Sequence, residues 1–132
     1  MSQRIGVPGA SAAAVEALYA TGHWLYSQQR YAHAVTVFRA MIHIAPHDER
    51  GWLALGACHE VQDQTDIALE LYAAASTVAS AAPRCVLARA RLLRIRGRND
   101  EAIGAIDEAD RLAEDLRDAD LKALVAAERW RP

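Results

Sequence analysis

Residues 49–80 read ERGWLALGACHEVQDQTDIALELYAAASTVAS, and the fold follows from this stretch. Trp52, the pair Leu55-Gly56, Ala68, Tyr72 and Ala75 stand at offsets that suit two helices joined by a tight turn. A step of 34 residues upstream meets Leu18, Gly22, Ala34, Phe38, Met41 and Pro46. The same step downstream meets Val86, Ala90, Ala102, Ile106 and Ala109. Small residues recur where two helices of a hairpin must approach closely: Gly22, Gly56 and Ala90, then Ala34, Ala68 and Ala102.

This is the pattern of the tetratricopeptide (TPR) repeat, whose period is 34 residues. The register predicts an all-α TPR solenoid of three helix–turn–helix repeats, over about 15–48, 49–82 and 83–116, plus a C-terminal capping helix over about 118–130. Residues 1–11, with two Gly and a Pro, read as a flexible tail before a single domain over 12–132. Three hairpins are about the minimum that bury a continuous core.

Each helix has its own signals. Ser11 is placed to cap the first, about 12–28, with Val15, Leu18, Gly22 and Leu25 on one side. The break at Gln28-Gln29-Arg30 precedes a second helix to about Ala45, with Ala34, Val35, Phe38 and Met41 inward and Pro46 forbidding continuation. Asp48 caps the third, and Thr65 is expected to cap the fourth, whose inward stripe reads Ile67, Ala68, Leu71, Tyr72 and Ala75. Pro83 opens the fifth at a first-turn position and Gly97 ends it. Asn99 is expected to cap the sixth, with Ala102, Ile103, Ile106 and Ala109 inward. Leu121, Leu124, Val125 and Glu128 follow at helical spacing in the seventh, read as a cap with one polar face.

Hydrophobic residues make up 52% of the chain but include only one Phe, so the apolar mass is helix-forming Ala, Leu, Val and Ile. A formal charge of −2 argues against a partner chosen by bulk charge, such as nucleic acid or an anionic membrane. Cys58 and Cys85 lie 27 apart with no CxxC, which indicates neither a zinc site nor a disulfide framework and suggests a reducing compartment. With no leader-like N-terminus and no 18-residue apolar window, a cytoplasmic protein without membrane insertion is expected. Cys58 is expected to be buried on the side of the third helix that faces the next hairpin. The histidines have no HExxH companions and there is no P-loop, GxGxxG or GxSxG. No catalytic constellation, metal site or cofactor is expected.

The first helix of each TPR hairpin lines the concave side. Its non-core stripe gives Tyr19, His23 and Tyr26, then Leu53, Ala57 and Glu60, then Leu87, Arg91 and Arg94, with Arg50 and Arg84 three residues before the later stripes. The face is graded from aromatic, through small and aliphatic, to cationic. It suits an extended peptide whose apolar side chains enter pockets while arginines meet its carbonyls or acidic residues. The run Arg84, Arg89, Arg91, Arg94, Arg96 and Arg98 reads as a solvated face paired with Glu101, Asp107 or Glu108 rather than a nucleic-acid patch, since no aromatic residues interleave with it.

Beyond the repeat, VEALYATGHWLYSQQRY (15–31), VFRAM (37–41), WLALGACHEVQDQTDIALELYAAA (52–75) and APRCVLARARLL (82–93) resemble the TPR chaperones of bacterial type III secretion that hold hydrophobic translocators before export. The resemblance implies a cytosolic, non-enzymatic chaperone whose groove takes an extended segment of a translocator or another export substrate. It implies groove positions at Tyr19, His23, Tyr26 and Leu53, and a homodimer among the assemblies open to it. His23 departs from the bulky apolar residue usual there, and the helix that family members carry before the first repeat has no counterpart in these residues. A generic TPR adaptor or regulator is the alternative.

Overall fold

The computed structural model describes residues 11–79 and 81–132. Among these it forms seven helices and no strand: α1 (Ala12–Ser27), α2 (Tyr31–Ile44), α3 (Glu49–Val61), α4 (Thr65–Val78), α5 (Pro83–Ile95), α6 (Asn99–Leu116) and α7 (Ala119–Arg129). The tail expected over 1–11 lies, apart from Ser11, outside the described residues.

Consecutive helices pack as antiparallel hairpins: α1 with α2, α3 with α4, α5 with α6. The odd-numbered helices also touch one another, α1 on α3, α3 on α5 and α5 on α7, whereas α2, α4 and α6 make no mutual contact. One layer is thus drawn together and the other splayed. The stack curves with α1, α3, α5 and α7 on its inner side.

Each hairpin closes by the same device. Gln29, Asp63 and Gly97, 34 residues apart, all take the left-handed conformation, at φ 62°, 63° and 78°. The following amides of Arg30, Gln64 and Arg98 then donate back to the carbonyls of Leu25, His59 and Leu93 at 2.9, 2.8 and 2.9 Å. These are Schellman turns, which satisfy carbonyls that a helix end leaves open. Their three-residue length corrects the capping expected of Thr65 and Asn99. Both are already inside their helices, and Gln64 and Arg98 hold the cap positions with no side-chain bond. Ser11, Asp48 and Asp118 do cap α1, α3 and α7.

A small residue meets a large one inside each hairpin. Gly22 lies under the ring of Phe38 and Gly56 under that of Tyr72, so closely that a methyl at either glycine would overlap the ring. In the third hairpin the corresponding pair is Ala90 and Ile106, both buried. The core divides into two clusters, one around Phe38, Met41, Leu55 and Cys58, the other running from Ala68 through Leu93 to Val125. Cys58 therefore packs with the preceding hairpin, not the next one. Its burial pushes the thiol up to about 11, so it stays protonated at neutral pH.

Two isoleucines expected inside are outside. Ile67 and Ile103 are 42% and 54% exposed, because Ala68 and Ala102 point inward and a neighbouring residue on a helix is rotated by about 100°. Leu69 and Ala105 join the core instead. The N-terminus of α5 has no cap of its own, and the carboxylate of Glu49 fills that role from the preceding repeat. Its Oε2 accepts from the amides of Arg84 and Cys85 at 3.1 and 3.2 Å.

Candidate functional site

The inner layer carries two adjoining hollows. The first, about 510 Å³, is walled by Tyr26 of α1, Leu53, Ala57, Glu60 and Val61 of α3, Tyr72 of α4, and Ala88 and Arg91 of α5. The second, about 290 Å³, is walled by Leu53, by Arg84, Leu87, Ala88 and Arg91 of α5, and by Leu124, Ala127, Glu128 and Arg131 at the C-terminal end. Leu53, Ala88 and Arg91 belong to both, so the two form one trough across α3 and α5.

Small side chains make the first hollow deep. Ala57 stands one repeat step from Arg91 and from His23, and only at Ala57 does the stripe withdraw. The charged groups of this hollow and the Tyr72 hydroxyl are engaged within the chain. Glu60 accepts the hydroxyl of Tyr72, and both of its oxygens accept from Nη2 of Arg91 at 2.8 Å. Desolvation, then the bond to Glu60, raises the Tyr72 phenol, and desolvation raises that of Tyr26, so both are neutral at physiological pH. What remains for a ligand is mainly apolar surface, from Tyr26, Leu53, Ala57, Val61 and Ala88, with the Tyr26 hydroxyl as its polar atom.

The N-terminal end of the inner face is aromatic. Tyr19 meets His23 edge-on at 4.5 Å between centroids, and His23 in turn meets Phe38 at 5.9 Å. Tyr26 packs edge-on against Tyr31 at 5.4 Å. Arg50 lies over the Tyr19 ring at 4.6 Å while its guanidinium binds Glu16 and Asp48. Tyr19 and His23 thus belong to the inner face but wall neither hollow. Leu53 and Leu87 serve two purposes, packing against the core with one side and lining the trough with the other.

The expected arginines are present, but they are held from within. Arg84 binds Asp118, Arg91 binds Glu60, Arg94 binds Glu128, Arg96 binds Asp66 and Arg98 binds Glu101. Of the carboxylates expected to pair with this run only Glu101 does so; Asp107 binds Arg129. The partners come mainly from neighbouring repeats, because the inner helices lie side by side and repeat-spaced charges face each other. Arg89 alone in the run makes no ion pair among the described residues. It occupies the repeat position that Leu55 fills in the core one step earlier, and it lines the crevices over α5 beside α4.

The sequence pattern missed Val61, Tyr72, Ala88 and the α7 residues. Val61 was within reach, one turn beyond Ala57 on the same stripe. Tyr72 was assigned to the core alone, and its hydroxyl reaches the hollow only because Gly56 lets the ring lie flat against α3. Among the described residues no group of His, Cys, Asp and Glu is arranged to hold a metal ion.

A curved stack of helical hairpins with an apolar trough on its inner layer defines a helical-repeat scaffold of the tetratricopeptide kind. No protein-family model matches the chain. It is similar to the type III secretion translocator chaperone SycD of Yersinia enterocolitica, at a TM-score of 0.77 and 27% identity over 89% of this chain and 88% of SycD. It is similar to PcrH from Pseudomonas aeruginosa, at a TM-score of 0.76 and 27% identity over 91% of this chain and 92% of PcrH. Low calcium response locus protein H of Yersinia pestis is 30% identical over 101 residues, 76% of this chain. The chain spans about 60% of the length of that relative. In fold and sequence together, the chain is similar to the type III secretion translocator chaperones.

Proposed function

We propose that the chain is a cytoplasmic type III secretion chaperone that holds an extended segment of a hydrophobic translocator, or of another export substrate, in its inner trough. The observation that carries this is the first hollow, where every charged group is answered by a partner in the chain and the free surface is mainly apolar. Such a site captures an apolar segment by burial and asks nothing else of it. A translocator must later enter a membrane, so in the cytosol it exposes segments that aggregate unless covered. Modest affinity covers them and still permits release to the export apparatus.

Solved relatives support this reading. SycD has been crystallised with a peptide of the translocator YopD, and PcrH with the chaperone-binding regions of PopB and PopD. Under this proposal the work is binding and release, with no bond made or broken. A cytoplasmic location accords with the absence, among the described residues, of any helix long and apolar enough to cross a membrane. SycD is also known as an alternative dimer, and a second copy of this chain is a proposed partner.

The test is co-expression with hydrophobic export substrates encoded beside the chain. The wild-type protein should bring such a product into the soluble fraction as a complex. Ala57→Phe, which fills the first hollow, and Tyr26→Glu, which puts a charge in its wall, should leave the client insoluble while circular dichroism stays unchanged. A client equally soluble with both variants, or no client solubilised by the wild type, refutes the proposal.

A further inference from the structure

α7 was expected only to close the stack, yet its inner side is a wall of the trough. Leu124 is half exposed and faces the second hollow, across from Leu87 and Leu53. The charges around this hollow do not balance as they do in the first. Arg84 has Asp118 and Arg91 has Glu60, one carboxylate each. Glu128 serves two guanidiniums: its Oε2 accepts from Arg94 Nε at 2.9 Å, and Arg131 Nε stands off from its Oε1 at 3.6 Å. Arg94 is thereby satisfied, and Arg131 is the surplus cation at the rim.

We infer that α7 is a recognition element, and that the second hollow takes an apolar side chain of the bound segment followed by a carboxylate, an Asp or Glu, that meets Arg131. The inference rests on the groove reading proposed above and adds the chemistry of the client. An apolar hollow with one under-paired guanidinium at its edge complements that pair of residues. Glu128, fixed by its Oε2 to Arg94, leaves Arg131 at 3.6 Å, beyond a hydrogen bond, whereas a client carboxylate gives it a charge-assisted one. The two hollows share Leu53, Ala88 and Arg91, so one chain can occupy both. They are offset by one inner helix, about 10 Å. At about 3.3 Å per extended residue, the second apolar residue falls about three positions from the first, with the acid one or two beyond it.

The experiment is selection of a random dodecapeptide phage library on the intact protein and its variants. Wild type should enrich peptides with two apolar anchors at that spacing and an adjacent Asp or Glu. On Arg131→Glu the apolar anchors should persist while the acid gives way to Lys or Arg. A synthetic wild-type-selected peptide should bind Arg131→Glu roughly threefold to tenfold more weakly. Leu124→Asp should remove the preference for the second anchor and keep the first. Apolar anchors without an acid, or an acid preference that survives in Arg131→Glu, overturn the role of α7 and leave the first hollow standing. No enriched peptide at all removes the groove reading as well.

Discussion

At the N-terminal end of the inner face Arg50 reaches back one repeat to Glu16, with Nη2 to Oε2 at 2.6 Å. At the C-terminal end Arg94 reaches forward one repeat to Glu128, with Nε to Oε2 at 2.9 Å. Each bridge spans 34 residues and joins the same kind of neighbouring helices. They differ in where the carboxylate lies: the Glu16 side chain is 58% exposed and that of Glu128 only 6%. One repeat step thus yields a bridge in water that holds Arg50 over an aromatic ring, and a bridge in the core that fastens the last helix. Similarity of pattern between repeats does not carry equality of energy.

The widest separation should come from removing the two carboxylates. Glu128→Ala leaves the Arg94 guanidinium part-buried and unpaired and should cost about 3–5 kcal/mol in denaturant unfolding. Glu16→Ala should cost less than about 1 kcal/mol. Equal losses would mean that burial does not distinguish the two ends.

The hairpins offer a second contrast. Gly56→Ala drives a methyl into the Tyr72 ring and should cost about 1–3 kcal/mol, since the ring is fully buried and cannot give way. The exchange run the other way in the third hairpin, Ala90→Gly, should cost about 1 kcal/mol, the loss of helix propensity with no clash. If Gly56→Ala proves harmless, the close approach of α3 and α4 is not what the glycine secures.

Arg89→Leu restores to the third repeat the residue that Leu55 supplies to the second. It should stabilise by about 1 kcal/mol, read as a rise of a few degrees in Tm. A loss instead would show that the guanidinium finds Glu70 or Glu108, which stand beside it, in solution.

The smallest expected effect is a slope with pH at the N-terminal end. The Arg50 guanidinium bonded to Asp48 holds that carboxyl below the usual carboxylate range, against a smaller opposing effect of burial. A depressed folded pKa contributes stability that is complete above the unfolded value, about 3.9, and is lost as pH falls through the folded one. Asp48→Asn keeps a capping side chain and should flatten this acid limb of the stability curve. An unchanged limb would assign it to other carboxylates.

Much of the fold was legible because it depends on spacing. The register of small and large residues located every hairpin, and Ser11, Asp48, Pro83 and Gly97 marked helix ends by local chemistry that needs no tertiary context. Ile67 and Ile103 misled because hydrophobicity does not say which of two adjacent residues faces in when the inward one is alanine. The left-handed turn residues at Gln29 and Asp63 carried no glycine to announce them. The site was legible as a face but not as a shape. Tyr26, Leu53, Ala57, Glu60 and Arg91 stand together as their stripe required, whereas Tyr19, His23 and Arg50 form a separate aromatic end. The groove arginines were expected to meet a ligand, and the run that holds them to pair with Glu101, Asp107 or Glu108. Their carboxylate partners lie mostly about one repeat away, and such pairing becomes visible only once the inner helices lie side by side.

The central claim is that the inner face binds mainly by apolar burial because its charges, Arg131 at the rim apart, are already answered. It is tested most directly by calorimetric titration of a selected peptide at salt from about 50 to 500 mM, where the screening length contracts severalfold. The account predicts a negative heat-capacity change and an affinity that weakens by less than about tenfold across that range. An affinity that collapses with salt, with a heat-capacity change near zero, would mean that the arginines hold the client and that their partners in the chain give them up.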